Sequence, residues 1–382
     1  MAFRLGIDAS NLRGGGGLTH LREFLRAADP ALHDFDEIIV WGGHKTLKAL
    51  TEHSDSVTLE HHSRLDGSLL HRLLWRQFDL PRVSRSCDLV FVPGGLQGPP
   101  GVPWVTMSRN MLPFEKREKR RYPLGYERLR LEVLKRAQAR AFERADGLIF
   151  LTEYAQEQIE SQLRKPPSKT KVIPHGIGDR FFLPPRRATE ASGGQNSTRL
   201  LYVSTVNAYK HQWIVAEAVS KLREEGWPLE LDLIGGGYEP ALTRLEDTCS
   251  RLDPEKEWLH YHGNVPFEAL HDYYQSADLF IFASSCENMP NILLEAMAAG
   301  LPIACSNRGP MPEILGSAGQ YFDPESADTI CDAVRSALKD DPLREKMAIE
   351  GFERAKNYSW SRCASETFEF LHSVHAATAG HR

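Results

Sequence analysis

The sequence predicts an α/β fold built from two doubly wound, Rossmann-like domains, and three observations carry that expectation. Short apolar runs alternate with helix-period segments along the chain, as parallel strands alternate with covering helices. Residues 184–198 interrupt this pattern with a Pro-, Gly- and Ser-rich stretch almost free of large apolar groups. The alternation then restarts, and 382 residues at roughly 150 per domain also point to two domains.

In the first half the runs are Phe3–Ile7, Ile38–Trp41, Val57–Leu59, Leu89–Val92, Trp104–Met107, Leu148–Leu151 and Val172–Ile173. Several are β-branched or aromatic and short, as strands buried on both faces tend to be. Gly14–Gly17 follows the first run and opens a helix from Leu18, with Leu21, Phe24 and Leu25 at helical spacing. Glycines there let the backbone approach a phosphate or sugar closely, although four in a row also suit a plain flexible turn. Residues 115–144 carry eleven Lys/Arg against five Asp/Glu, beginning Lys116–Arg121 and continuing as a helix through Leu129, Leu131, Val133 and Leu134. Such a basic amphipathic stretch suits an anionic membrane surface; a solvated helix face is the alternative. His175, in a hinge-like segment after Pro174, reads as a hydrogen-bonded structural residue.

Beyond the break the runs are Leu200–Val203, Leu229–Ile234, Leu259–Tyr261, Leu279–Phe282, Ile303–Cys305 and Tyr321–Phe322. From Glu325 onward only helical patterns follow. The expected organisation is a domain over 1–183, a linker over 184–198, a second domain over 199–355, and a helix over 356–382 packing across the domains. Ligands of open α/β sheets sit at the carboxyl ends of strands, so the residues just after each strand are the ones to examine.

Composition removes several classes of function. A formal charge of −5 argues against a nucleic-acid partner. No apolar run reaches the length of a spanning helix, and Asp8 interrupts the N-terminal stretch too early for a secretory signal. Six scattered cysteines form no Cys-x-x-Cys pair, and His61–His62 has no third residue at ligand spacing. Reduced thiols in a cytoplasmic protein, with no zinc site, are expected.

The strongest local signal is Ser285–Pro302, which follows the Leu279–Phe282 run. Pro290 fits a first helical turn and Gly300 a C-terminal cap, so the helix N-terminus points outward from the strand ends. Backbone amides around Asn288, Met289, Pro290 and Asn291 then suit a phosphate. Glu287 before the helix and Glu295 within it can accept hydrogen bonds from sugar hydroxyls. Equally, Glu287 can be a favourable first-turn charge and Glu295 a solvated helix residue.

This segment resembles the E-x7-E motif of retaining glycosyltransferases of family 4, which use nucleotide sugars and have the GT-B fold. Asp8–Thr19, Ile173–Ile177, Tyr202–Lys210, Ile234–Gly237 and His262–Val265 resemble further family segments in the same order. The resemblance implies two domains facing a central cleft, with Glu287 approaching the donor sugar and Glu295 binding the nucleotide ribose. It also assigns Gly16, Gly17, Thr205, Gly263 and Val265 to donor binding. Thr205 stands where the family usually has an Arg, leaving Lys210 as the cation for the diphosphate. Arg109, followed by Asn110, stands near the place of a family His, so a neutral imidazole is not available there.

The implied reaction moves a hexosyl group from a nucleoside-diphosphate sugar to a glycan or lipid-linked saccharide in O-antigen, capsule or lipopolysaccharide synthesis. Lys210, Glu287, Arg109 and Asn110 are the expected catalytic residues, with no cofactor or metal. The expected place is the cytoplasm, peripheral on the inner membrane face through Lys116–Arg121. Asp34-Phe35-Asp36 has the form of a metal-holding pair, but it precedes a strand and reads as a surface turn. A nucleotide-sugar epimerase, a glycosidase and a catalytically weak sugar-nucleotide-binding protein are the rival readings.

Overall fold

The computed structural model describes residues 3–50, 53–185 and 197–379. The chain forms two compact units, one of residues 1–114, 124–176 and 358–382, the other of residues 115–123 and 177–357. Most of the linker expected at 184–198 lies outside the described residues. The passage from first unit to second falls earlier, at Gly176–Ile177.

The first unit is a seven-stranded parallel sheet: β1 (Arg4–Asp8), β2 (Glu37–Gly42), β3 (Val57–His61), β4 (Leu89–Val92), β5 (Trp104–Met107), β6 (Gly147–Phe150) and β7 (Thr170–Val172). Its order is β3-β2-β1-β4-β5-β6-β7, reversing direction beside β1 as a doubly wound sheet does. Strands β4, β5 and β6 are buried along their whole length, which is why they read as unbroken apolar runs. The C-terminal helix Trp360–Ala379 belongs to this unit and packs on the Gly15–Arg26 helix. Phe368 is its anchor, with ring centroids 5.0 Å from Phe24 and 5.1 Å from Phe35. Burying such a ring stabilises by roughly 1.5–3 kcal/mol.

The second unit is a six-stranded parallel sheet: β8 (Thr198–Val203), β9 (Leu229–Ile234), β10 (Leu259–Tyr261), β11 (Leu279–Phe282), β12 (Ile303–Ser306) and β13 (Gln320–Phe322). Its order, β10-β9-β8-β11-β12-β13, again reverses beside the first strand. The loops that follow β8 and β11 therefore start side by side at the carboxyl edge.

Two local expectations need correction. The basic stretch is not one helix: Lys116–Lys119 and Tyr126–Arg144 are separate, broken by Pro123 and by Gly125 at a φ of 154°. Residues 115–123 belong to the second unit and the longer helix to the first. Within the break-away segment Lys119 is buried and Arg117 and Arg121 bond Glu325, leaving Lys116 and Arg120 exposed. In the longer helix Leu131, Gln138, Ala141 and Phe142 face inward, whereas Leu129 and Val133 lie exposed.

Candidate functional site

The second unit gathers most of the expected site residues at the carboxyl edge of its sheet. After β8 the chain turns back, with the Lys210 amide donating to the Asn207 carbonyl at 3.0 Å. Tyr202, buried within β8, donates its hydroxyl to the Lys210 carbonyl at 2.5 Å and fixes this turn. The Lys210 ammonium then bonds Glu287 Oε1 from the loop after β11. The Ser285 amide donates to the Tyr209 carbonyl at 2.8 Å, tying the two loops a second time. Both side chains of the pair are largely buried. Each charge is thus held by the other, and removing one strands its partner.

Glu295 lies apart from that pair, on the Asn291–Ala298 helix, where it is buried and accepts the Tyr274 hydroxyl at 2.9 Å. The solvated-residue reading is therefore excluded. Burial raises its carboxyl to about 7, against the pull of the Tyr274 hydrogen bond and the Arg180 charge. Pro290 stands at the N-cap, one place ahead of the first helical turn, and its carbonyl accepts the Leu293 amide at 3.0 Å. Helix geometry leaves the Asn291 and Ile292 amides without an intrahelical acceptor. Asn288 and Met289 are buried in the loop before them. Gly300 follows the helix at a φ of 62°, as expected of its C-terminal end.

Glycine is required where the remaining loops meet. A Cβ on Gly235 would overlap the Ser204 carbonyl, and one on Gly237 the Val206 carbonyl. The close approach lets the Val206 amide reach the Gly236 carbonyl at 2.9 Å. Gly263, at a φ of 64°, accepts the Gly235 amide at 2.8 Å, with Val265 half-buried beyond it. Thr205 is exposed on the rim of this group.

Sequence reasoning missed the segment that braces these loops. Glu118 is buried in the second unit and accepts the Ser285 hydroxyl at 2.7 Å. His211 Nε2 lies 2.9 Å from the same hydroxyl; burial, reinforced by the Arg121 charge, pulls this imidazole down to about 3. Neutral His211 can therefore donate to Ser285, which donates in turn to Glu118. Tyr122 donates to Asn207 Oδ1 at 2.5 Å, and its ring lies 5.6 Å from that of Tyr238. Glu118 and Ser285 stand 167 positions apart, so no local pattern announces their contact.

Arg109, Asn110, Gly16 and Gly17 belong to the first unit. Arg109 donates to the Gly16 carbonyl at 2.6 Å and the Gly17 carbonyl at 3.3 Å. Burial draws its guanidinium down to about 10, still charged at neutral pH. Its observed task is to pin the glycine loop, whose helix begins at Gly15 rather than at Leu18. Asn110 Oδ1 accepts the Leu112 amide at 3.1 Å. His175 is buried with its ring 4.7 Å from His20, in keeping with a structural role. Asp36 accepts the Phe3 amide while Asp34 sits exposed at a φ of 62°, so the pair shapes the turn before β2.

The comparisons with known proteins agree with this architecture. The family described as Glycosyl transferases group 1 matches residues 188–354, and Glycosyltransferase Family 4 matches residues 14–180. Escherichia coli O-antigen chain mannosyltransferase B is 33% identical over 170 residues, 44% of this chain and 44% of the relative. The chain thus spans less than half of that relative's length. Among solved structures, sucrose-phosphate synthase from Thermosynechococcus elongatus superposes with a TM-score of 0.76 at 17% identity, covering 98% of this chain and all of the other. Anabaena HepE in complex with UDP gives 0.73 at 16% identity, covering 97% of this chain and all of that one. The two parallel sheets form the GT-B fold. With both family matches laid end to end along it, the chain belongs to the group 1, family 4 glycosyltransferases.

Proposed function

We propose that the protein moves a hexosyl group from a nucleoside-diphosphate sugar to a sugar hydroxyl of a glycan or lipid-linked saccharide, retaining the anomeric configuration. The observation that carries this reading is the Lys210–Glu287 pair beside the N-terminus of the Asn291–Ala298 helix. A diphosphate arriving there competes for the Lys210 ammonium and accepts the amides of Asn291 and Ile292. Glu287, released from Lys210, accepts a hydroxyl of the donor sugar. Glu295 accepts the ribose hydroxyls from the far side of the motif.

As the bond between sugar and diphosphate breaks, negative charge grows on the leaving phosphate, and a preorganised cation and amides stabilise it there. These groups supply the countercharge without a divalent metal, so activity should persist in excess chelator. Arg109 contributes indirectly by holding the Gly16–Gly17 backbone. A mannosyl donor and a place in O-antigen synthesis are favoured by the Escherichia coli relative. A lipid-linked acceptor would bring the protein to a membrane surface; no described helix is long and apolar enough to cross one.

Steady-state kinetics of two variants test the assignment. Glu295→Ala should chiefly raise KM for the donor, and Glu287→Ala should chiefly lower kcat. Near-native kinetics in both, with the true donor and acceptor, would overturn it.

A further inference from the structure

We propose that the Tyr209 hydroxyl takes over as hydrogen-bond donor to Glu287 when an arriving diphosphate draws Lys210 away, keeping that carboxylate aimed at the donor sugar. The inference rests on the proposed reception of the diphosphate by Lys210 and adds a positioning residue to it. The resting pair creates the need. The Lys210 and Glu287 side chains are only 6% and 15% exposed. A diphosphate that wins the ammonium leaves the carboxylate with little water and no cation. A charge so placed is unfavourable unless it is hydrogen-bonded, and without a donor it also has no fixed orientation.

Other side-chain donors around the pair are already committed. The Tyr202 hydroxyl donates to the Lys210 carbonyl at 2.5 Å. Ser285 donates to Glu118 at 2.7 Å, and His211 Nε2 lies 2.9 Å from the Ser285 hydroxyl. Tyr122 donates to Asn207 Oδ1 at 2.5 Å. Tyr209 differs. Its side chain is half-buried, and its hydroxyl makes no hydrogen bond to any described residue. Tyrosine hydroxyls find a partner when they are covered, and a donor seated on this loop would cover this one.

The backbone holds Tyr209 against the Glu287 loop. Tyr209 lies in the turn that the Lys210 amide closes on the Asn207 carbonyl at 3.0 Å. Its own carbonyl accepts the Ser285 amide at 2.8 Å and the Ser285 hydroxyl at 3.3 Å, two residues before Glu287. Its ring centroid lies 5.3 Å from Lys210 Nζ, the same nitrogen that bonds Glu287 Oε1. Ammonium, phenol and carboxylate therefore meet at one point on the carboxyl edge of the sheet. Burial first, and then the Glu287 charge, push the phenol well above its ordinary pKa, with Cys286, Tyr122 and Glu118 adding to the effect. At neutral pH the hydroxyl keeps its proton and can only gain by donating it to a charged acceptor.

A double-mutant cycle on the full chain tests the proposal, read by calorimetry with uridine, guanosine, adenosine and thymidine diphosphates. Tyr209→Phe removes the hydroxyl alone and leaves the ring against Lys210. Its unfolding midpoint should match wild type, because the hydroxyl bonds no protein group at rest. Its affinity for the diphosphate that wild type prefers should fall about tenfold, as for a lost hydrogen bond to a charged group. In a Glu287→Ala background the same substitution should change affinity by less than about twofold, since no carboxylate is left to hold. In a Glu287→Gln background, where the acceptor is neutral and of similar volume, the loss should be intermediate. Unchanged affinity in Tyr209→Phe, a lowered unfolding midpoint, or an equal loss with and without Glu287 would overturn the proposal and leave the donor reading standing. Wild type that binds none of the four diphosphates would overturn the donor reading and this inference with it.

Discussion

Glu295 shows how burial ties a single carboxyl's contribution to stability to pH. Its carboxyl is raised from an ordinary 4.5 to about 7 by burial, so the native state holds the proton more tightly than the unfolded chain. The stability this contributes is complete below pH 4.5 and is lost as pH rises through 7. The loss amounts to about 3 kcal/mol by linkage. Glu295→Gln cannot ionise and should therefore unfold at higher denaturant than wild type at pH 8. That advantage should shrink as pH falls from 7 toward 4.5. Parallel pH curves for the two proteins, followed by tryptophan fluorescence in urea, would contradict this. On the proposed reading the ionised carboxylate, an acceptor at both oxygens, is the form that takes the ribose hydroxyls. Nucleotide affinity of wild type should accordingly rise with pH through 7, while that of the variant stays low and flat. Sequence spacing located Glu295, whereas its burial and its Tyr274 partner depend on a helix that ends fifteen residues before the motif helix begins.

Elements differ in how far they can be read from sequence. Strands β4, β5 and β11 fall at the expected residues because burial on both faces leaves an unbroken apolar run in each; β9 and β10 fall there too, although Glu230, Asp232 and His260 interrupt their runs. The helices at 116–119 and 126–144 were harder, since a shared basic composition hides that they serve different units. Only long-range contacts separate them: Glu118 with Ser285, Arg121 with Glu325, Tyr122 with Asn207. These contacts brace the loops that carry Lys210 and Glu287. Glu118→Ala removes the acceptor of Ser285 and one partner of Arg121, and should destabilise the second unit by about 1–3 kcal/mol. It should also weaken nucleoside-diphosphate binding severalfold, with Glu118→Gln, which still accepts from Ser285, restoring part of the affinity. A stability loss with unaltered affinity would confine the segment to a structural role.

At the scale of the whole molecule, the chain passes between the units four times, at 114/115, 123/124, 176/177 and 357/358. Composition and alternation made two α/β units legible, but nothing in the linear pattern marks the excursion of residues 115–123 into the second unit. Family membership follows from segments spread over both units, whereas the proposed chemistry concentrates in the second. The central claim is that Lys210 and Glu295 receive the nucleoside diphosphate, leaving Glu287 for the donor sugar. Titration calorimetry of the intact protein with a panel of nucleoside diphosphates, in excess chelator, tests it most directly. Wild type should bind at least one of them, and Lys210→Ala, shown to be folded by its unfolding curve, should lose about tenfold or more in affinity, as expected for a desolvated charge contact. Binding that requires a divalent cation, or a folded Lys210→Ala variant with wild-type affinity, would contradict the account.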